Sequence, residues 1–339
     1  MRVCLALSHC IEEYDQLRLL HSLGHEVFSI GAYITPAEPH VDKRPPLPEL
    51  PFYPELKEAV DRKGGLGEAQ ADIPDELLEW LGNDGAIIYH HYLERAYQQP
   101  RLWDWKAGSS GRRIVWRTVG QSVEANERAA WPFRARGMEI VRYSPKERAI
   151  PSYAGEDALI RFFKDPEEWN GWVGEDLVII NLTQHLRQRE PYCGWSFWER
   201  ATAGLPRLPL GPGSEVIGGP GVISYEELHR RLRFSRAYLY TGTQPASYVL
   251  NMVEALMTGI PVVSIGPAWM RVYDYGPDLF EGHEIAPLWS DDPAEARKML
   301  SQLLNDRDYA TDVGARSRAR ALELFSRDKI SAAWATFLA

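Results

Sequence analysis

Short apolar runs alternate with helix-length segments along this chain, and the series plays out twice. Val3–Leu7 is apolar, a helical stretch over Tyr14–Leu23 stops at Gly24, and Glu26–Ile30 reads as the second strand. Helix follows over Asp75–Leu81, then strand runs at Ala86–Tyr89, Arg113–Val119, Glu139–Tyr143 and Ala158–Phe163. After Trp172 the pattern restarts. Strands are expected at Leu177–Asn181, Glu215–Ile217, Ala237–Tyr240 and Pro261–Ile265. The intervening helices are Trp195–Ala203, Tyr225–Arg233 with Ser224 as N-cap, and Ser247–Met257 closed by Gly259. Two more helices follow at Pro293–Leu304 and Thr311–Phe325. Strands separated by helices cannot pair as hairpins, so each series demands a parallel sheet with helices on both faces. The fold class is therefore α/β, with two doubly wound Rossmann-like domains at about 1–165 and 170–320 and a hinge near Lys164–Gly174. In such sheets ligands sit beyond the carboxyl ends of the strands, so the active site is expected in the cleft between the domains.

The rest of the composition narrows the class. No apolar run reaches the roughly 18–20 residues of a membrane span, and the N-terminal apolar stretch is too short for a signal peptide. Cys4, Cys10 and Cys193 are sparse and form no CxxC pair, which suits reduced thiols and a cytoplasmic location. Pro36–Pro54 holds seven prolines and reads as a long surface loop. The net charge is −9, yet residues 101–150 carry a local excess of +6. That segment also holds Trp103, Trp105, Trp116 and Trp131, and a basic, aromatic-rich face can attract an anionic ligand.

The stretch SRAYLYTGTQPASYVLNMVEALMTGIPVVSIG, Ser235–Gly266, is strand, loop, helix, turn and strand. Its loop, Thr241–Ala246, opens onto a helix N-terminus, whose unpaired N–H groups and partial positive charge suit a diphosphate. Ser247 is placed to add a hydroxyl. Glu254, two turns on, is expected on the exposed side of the helix, where a carboxylate accepts from ribose hydroxyls.

NMVEALMTGIPVVSIG resembles the EAMA-C-G-x-PVV segment of the group 1 glycosyltransferases, a retaining, nucleotide-sugar-dependent family with the GT-B fold. Further segments agree in order: GHEVFSI, YSPKERAIPSYAGEDALIRFFKDPEEW, GGPGVISYEELHRRLRFSRAYLY and ALELFSRDKISAAW. The last resembles the family's closing helix, which implies that 321–339 returns to the N-terminal domain. By this resemblance Glu254 holds the nucleotide ribose. The second family Glu, eight positions earlier, is Ala246 here, and ASYV replaces the Gly-rich stretch. The usual Gly-Arg and Lys have no counterpart in NLTQHLRQRE, so Arg187 and Arg189 are the expected diphosphate partners. Tyr248, Thr183, Val222 and Thr243 complete the expected donor-binding set.

The first domain is expected to bind the acceptor. His9, His91 and Gln121 lie at its strand ends, and a His there can deprotonate a hydroxyl. Glu12, Glu13 and Asp15 follow the first strand and suit helix capping or hydroxyl binding. No metal-ligand motif is present, so no cofactor is expected beyond the cosubstrate. The expected function is metal-independent hexosyl transfer from a UDP-sugar to a hydroxyl acceptor, with a hydroxymethylated DNA base among the acceptors. The alternatives are a sugar-nucleotide epimerase and a non-catalytic nucleotide-sugar binding protein.

Overall fold

The computed structural model describes residues 1–6, 9–38, 44–64, 73–90, 99–120, 123–244, 246–270 and 288–339. The chain divides into two compact units, residues 1–162 with 330–339, and residues 163–329.

The first unit carries a parallel sheet in the order β2-β1-β3-β4-β5-β6. Its strands are β1 (Arg2–Ala6), β2 (Glu26–Ser29), β3 (Ala86–Tyr89), β4 (Arg113–Arg117), β5 (Glu139–Arg142) and β6 (Ala158–Leu159). The central strands read as unbroken apolar runs because helices cover both faces, and Ala86–Tyr89 is wholly buried. Helix α1 (Cys10–Ser22) begins four residues before the expected start, with α2 (Pro54–Arg62), α3 (Asp75–Leu81), α4 (Pro100–Ala107) and α5 (Glu124–Arg134) following. Trp103 of α4 stacks on Phe133 of α5, ring centroids 5.9 Å apart. The expected strand Ala158–Phe163 stops at Leu159. The Ile160 and Arg161 carbonyls instead accept from the Arg117 guanidinium.

The second unit holds a parallel sheet in the order β11-β10-β9-β7-β8. These are β7 (Asp176–Asn181), β8 (Arg207–Pro209), β9 (Ser235–Tyr240), β10 (Val262–Ile265) and β11 (Leu288–Ser290). The helices are α6 (Glu190–Cys193), α7 (Trp195–Ala201), α8 (Tyr225–Phe234), α9 (Leu250–Thr258), α10 (Pro267–Met270), α11 (Pro293–Asn305) and α12 (Arg307–Phe325). The final helix, α13 (Arg327–Leu338), runs into the C-terminal segment of the first unit. There Trp334 lies against the Arg117 guanidinium, and the Phe337 carbonyl accepts from Arg113. Ser224 caps α8 as expected, accepting the Glu227 N–H.

Two expectations in this unit are corrected. Glu215–Ile217 is not a strand but part of a 3₁₀ turn, because Gly213 and Gly218 on either side adopt φ of +79° and +87° and reverse the chain. The edge strand lies earlier, at Arg207–Pro209. Helix α9 begins at Leu250 rather than Ser247, since Val249 is extended at φ −122° and ψ 159° and serves as N-cap. Among the described residues no helix is long and apolar enough to cross a membrane.

Candidate functional site

Each sheet reverses its strand order once, and the reversal leaves a crevice at the carboxyl ends of the two strands that flank it. In the second unit those strands are β7 and β9. Asn181, the last residue of β7, is fully buried there. Its Nδ2 donates to the Leu239 carbonyl at 2.9 Å and to Thr241 Oγ1 at 3.3 Å. Its Oδ1 accepts the Thr183 N–H at 2.9 Å. One amide thus ties the strand ends together and shapes the start of both following loops. Asn251, in the first turn of α9, ties the same loop from the other side by donating to the Leu182 carbonyl at 2.5 Å. Neither Asn was singled out from the sequence, because the partners lie 58 to 69 residues away.

The loops at this edge carry the expected donor residues. Thr183 and Ser247 are buried, Arg187 and Val222 are exposed, and Arg189 and Thr243 are half-buried. Arg187 faces the Trp195 ring, 5.8 Å from its centroid. Arg189 caps α6 and acts on Cys193, whose thiol is pushed up by burial despite that cation and a hydrogen bond with Thr243. His185, between Thr183 and Arg187, holds φ +51°, the left-handed region uncommon for any residue with a Cβ. Its N–H donates to the Pro212 carbonyl at 2.7 Å, and Gly213 packs against it where a Cβ would meet its Nδ1 at 2.6 Å. This locks the loop after β7 to the loop after β8. Gln244 joins the loop after β9 to the other two sides, its N–H donating to the Tyr192 carbonyl and its Nε2 to the Trp269 carbonyl.

Glu254 is corrected in one respect. It lies on a buried face of α9, not on an exposed one, and is 1 % exposed. Its Oε1 accepts from Lys164 Nζ at 2.7 Å, and Lys164 is itself shut away from solvent. A buried carboxylate needs such a charge partner. Lys164 lies 5.7 Å from the Trp169 ring centroid, and Trp169 stacks on His229 at 4.2 Å. Tyr248 is buried against Phe325 of α12, ring centroids 5.4 Å apart. Ala246, where the resembled family has a Glu, is also buried.

In the first unit the reversal falls between β1 and β3. His9 is the N-cap of α1, half-buried just beyond β1. Its N–H donates to His90 Nδ1 at 3.1 Å, and its carbonyl accepts the Glu13 N–H at 2.8 Å. His90, directly after β3, is 1 % exposed, and its Nε2 lies 2.6 Å from Gln16 Oε1. Of the acidic trio, Glu12 lies 3.4 Å from Arg117, at the end of β4. Asp15 is buried. Glu13 is buried and accepts from Ser29 Oγ and from the Ala32 and Tyr33 N–H groups, so it fastens the loop after β2. His91 and Gln121 lie outside the described residues.

The basic segment holds most of its charge in internal pairs. Arg101 pairs with Asp75, Arg113 with Glu139, Arg128 with Glu124, Arg134 with Asp157, Arg142 with Glu127 and Arg148 with Glu156. Trp103, Trp105 and Trp116 are buried, and Trp131 alone of the four is exposed. An open groove of about 640 Å³ lies at the opposite, amino end of this sheet, lined by Arg113, Glu139 and Phe337 among others. Its charged groups are already paired, Arg113 with Glu139 and Asp157 with Arg134, and it is at the wrong edge for a doubly wound site.

No family model matches this chain, and no curated protein matches it in sequence. Solved structures do. HepE from Anabaena, in a crystal with UDP and glucose, matches over 99% of this chain and 98% of its own, with a TM-score of 0.61 at 14% identity. A glycosyltransferase from Rickettsia africae matches over 99% and 97%, with a TM-score of 0.65 at 9% identity. The chain has the GT-B fold. A UDP-forming trehalose-phosphate synthase from Burkholderia vietnamiensis shares this fold at a TM-score of 0.59 and 9% identity, over 99% of each chain. In GT-B terms, the β1/β3 edge belongs to the N-terminal unit and the β7/β9 edge to the C-terminal one.

Proposed function

We propose that this GT-B chain is a glycosyltransferase that moves a sugar from a UDP-sugar to a hydroxyl acceptor, without a metal. The observation that carries the reading is the near-complete match to Anabaena HepE, whose crystals hold UDP with glucose and, in a second structure, UDP-glucose. The β7/β9 edge has the chemistry for such a donor. The first turn of α9 offers N–H groups and the positive end of its dipole to a diphosphate. Arg187 and Arg189 supply guanidinium forks that match phosphate oxygens. Together they can take the charge of a departing nucleoside diphosphate, the task a metal performs elsewhere. Glu254, with its charge balanced by Lys164, is the ribose acceptor to which the resemblance points.

His9 is the base we favour on the acceptor side. Its imidazole stems from the N-cap position at the sheet's order reversal, where a substrate hydroxyl can be deprotonated as the glycosidic bond forms. A small-molecule or glycan hydroxyl is favoured over DNA, since the basic segment's arginines are paired internally. A non-catalytic nucleotide-sugar binder is the second reading, favoured by the buried methyl of Ala246 where the resembled family has a carboxylate.

The test is UDP release from UDP-glucose over a panel of hydroxyl acceptors, with and without excess EDTA, beside thermal shifts with UDP, GDP and ADP. Transfer that survives EDTA and the largest shift from UDP support the first reading. Binding with no transfer supports the second. No shift with any nucleotide would end both.

A further inference from the structure

We propose that His90 is the positioning residue for His9, setting the direction of the proposed base by accepting its backbone N–H. The inference rests on the reading of His9 as the group that activates the acceptor. The argument begins with protons. The His9 N–H can only donate, so His90 Nδ1, 3.1 Å away, must be the unprotonated nitrogen. A neutral imidazole then carries its hydrogen on Nε2, and Gln16 must present its oxygen, 2.6 Å off, to accept it. Both ring nitrogens are thereby used, and the tautomer is fixed by its neighbours. Protonating Nδ1 would break the bond to His9, so this buried ring cannot itself serve as a proton acceptor without releasing the N-cap.

The consequence falls on His9. Its backbone is gripped at both ends, the N–H by His90 and the carbonyl by the Glu13 N–H of α1. This fixes φ −78° and ψ 115° at the N-cap, and those angles set where the Cα–Cβ bond points. Gln16 lies on α1 itself, so His90 also joins β3 to the helix that His9 begins. A misplacement on the order of 1 Å at a reacting group costs about 100-fold in rate.

The test compares His90→Ala, His90→Asn, His90→Gln and Gln16→Leu with His9→Ala. An Asn carbonyl can stand where Nδ1 stands, and a Gln carbonyl reaches instead toward the Nε2 position. The expected result is that His90→Ala lowers kcat about 100-fold with KM for UDP-glucose within about twofold. His90→Asn should restore most of kcat, His90→Gln should not, and Gln16→Leu should fall between. Equal kcat for the Asn and Gln variants, or wild-type kcat in His90→Ala while His9→Ala is dead, overturns the positioning role and leaves the function standing. Wild-type turnover in His9→Ala overturns the reading of the base instead. ¹⁵N spectra of histidine-labelled protein at neutral pH decide the geometry whatever the acceptor. An Nε2–H His90 is expected, and an Nδ1–H His90 would sink the proposal.

Discussion

Lys164 Nζ sits 2.7 Å from Glu254 Oε1, and the two side chains, ninety residues apart in sequence, are both sealed from solvent. Removing one charge takes an opposite charge away from a group that stays buried, at a cost of about 3–5 kcal/mol. Replacing both with apolar groups of similar size is close to neutral by the same reasoning. Glu254→Ala should therefore unfold at markedly lower urea, and Lys164→Met/Glu254→Leu should recover most of the loss. The double variant then isolates ligand binding from folding. If Glu254 accepts from the donor ribose, the recovered protein should bind UDP about 10- to 100-fold more weakly, the worth of a hydrogen bond to a charged group. Unchanged UDP affinity in that variant would leave Glu254 a structural ion-pair partner only.

Asn181 should matter to both stability and donor binding. Asn181→Ala strands the Thr183 N–H and removes the donors to Leu239 and Thr241, and a stranded buried polar group costs about 1–3 kcal/mol. Asn181→Asp keeps the shape but faces a carbonyl with a carboxylate, so it should be worse than Ala. Urea midpoints rank the two, and the UDP-induced melting shift should shrink in both. A full shift in Asn181→Ala would place the nucleotide away from this edge.

Much of the fold was legible because buried parallel strands have no polar face to alternate. Ala86–Tyr89 and Val262–Ile265 announce themselves as apolar runs with Gly or Pro at the boundary. The short helices α2, α4 and α5 were not singled out; in α5 the pattern is interrupted by Pro132 within the helix. At Glu215–Ile217 the β-branched pair suggested a strand, and the flanking glycines overruled it. The site was legible only as far as chain order reaches. The motif singles out Glu254 but not its buried ion pair with Lys164, because no local pattern reports a partner at that distance. His90 was not singled out either, since its partners His9 and Gln16 lie 81 and 74 residues away.

Gly314 tests the packing of α12. A Cβ there would run into the Gly259 carbonyl oxygen at the end of α9, and that atom belongs to backbone that cannot swing aside. In an isolated helix Gly→Ala gains about 1 kcal/mol. Here the overpacking penalty of about 1–3 kcal/mol should outweigh it. Gly314→Ala is thus expected to lower the urea midpoint, with larger side chains worse. A stabilised Gly314→Ala would mean that the two helices can separate without loss.

Glu13 gives the fold a pH dependence of defined sign. Burial pushes its carboxyl above the ordinary range, against the pull of Ser29 and the Tyr33 and Ala32 amides. In the unfolded chain a Glu titrates near about 4.3. Below that value both states hold the proton and the buried group costs nothing electrostatically. As pH rises toward the raised folded value, the unfolded chain releases its proton first, so the stability contributed by Glu13 declines through that window. Glu13→Gln cannot ionise; its carbonyl can still accept from Ser29 and Tyr33, while its NH2 faces the Ala32 N–H at a cost that does not vary with pH. Its melting temperature should therefore gain on the wild type as pH rises from about 4 toward the raised folded value, and the gap should level off above it. Calorimetry of the two proteins across that range measures the gap directly. A gap that stays constant, or closes as the solution is made less acidic, would show that the three donors hold the carboxylate charged despite its burial.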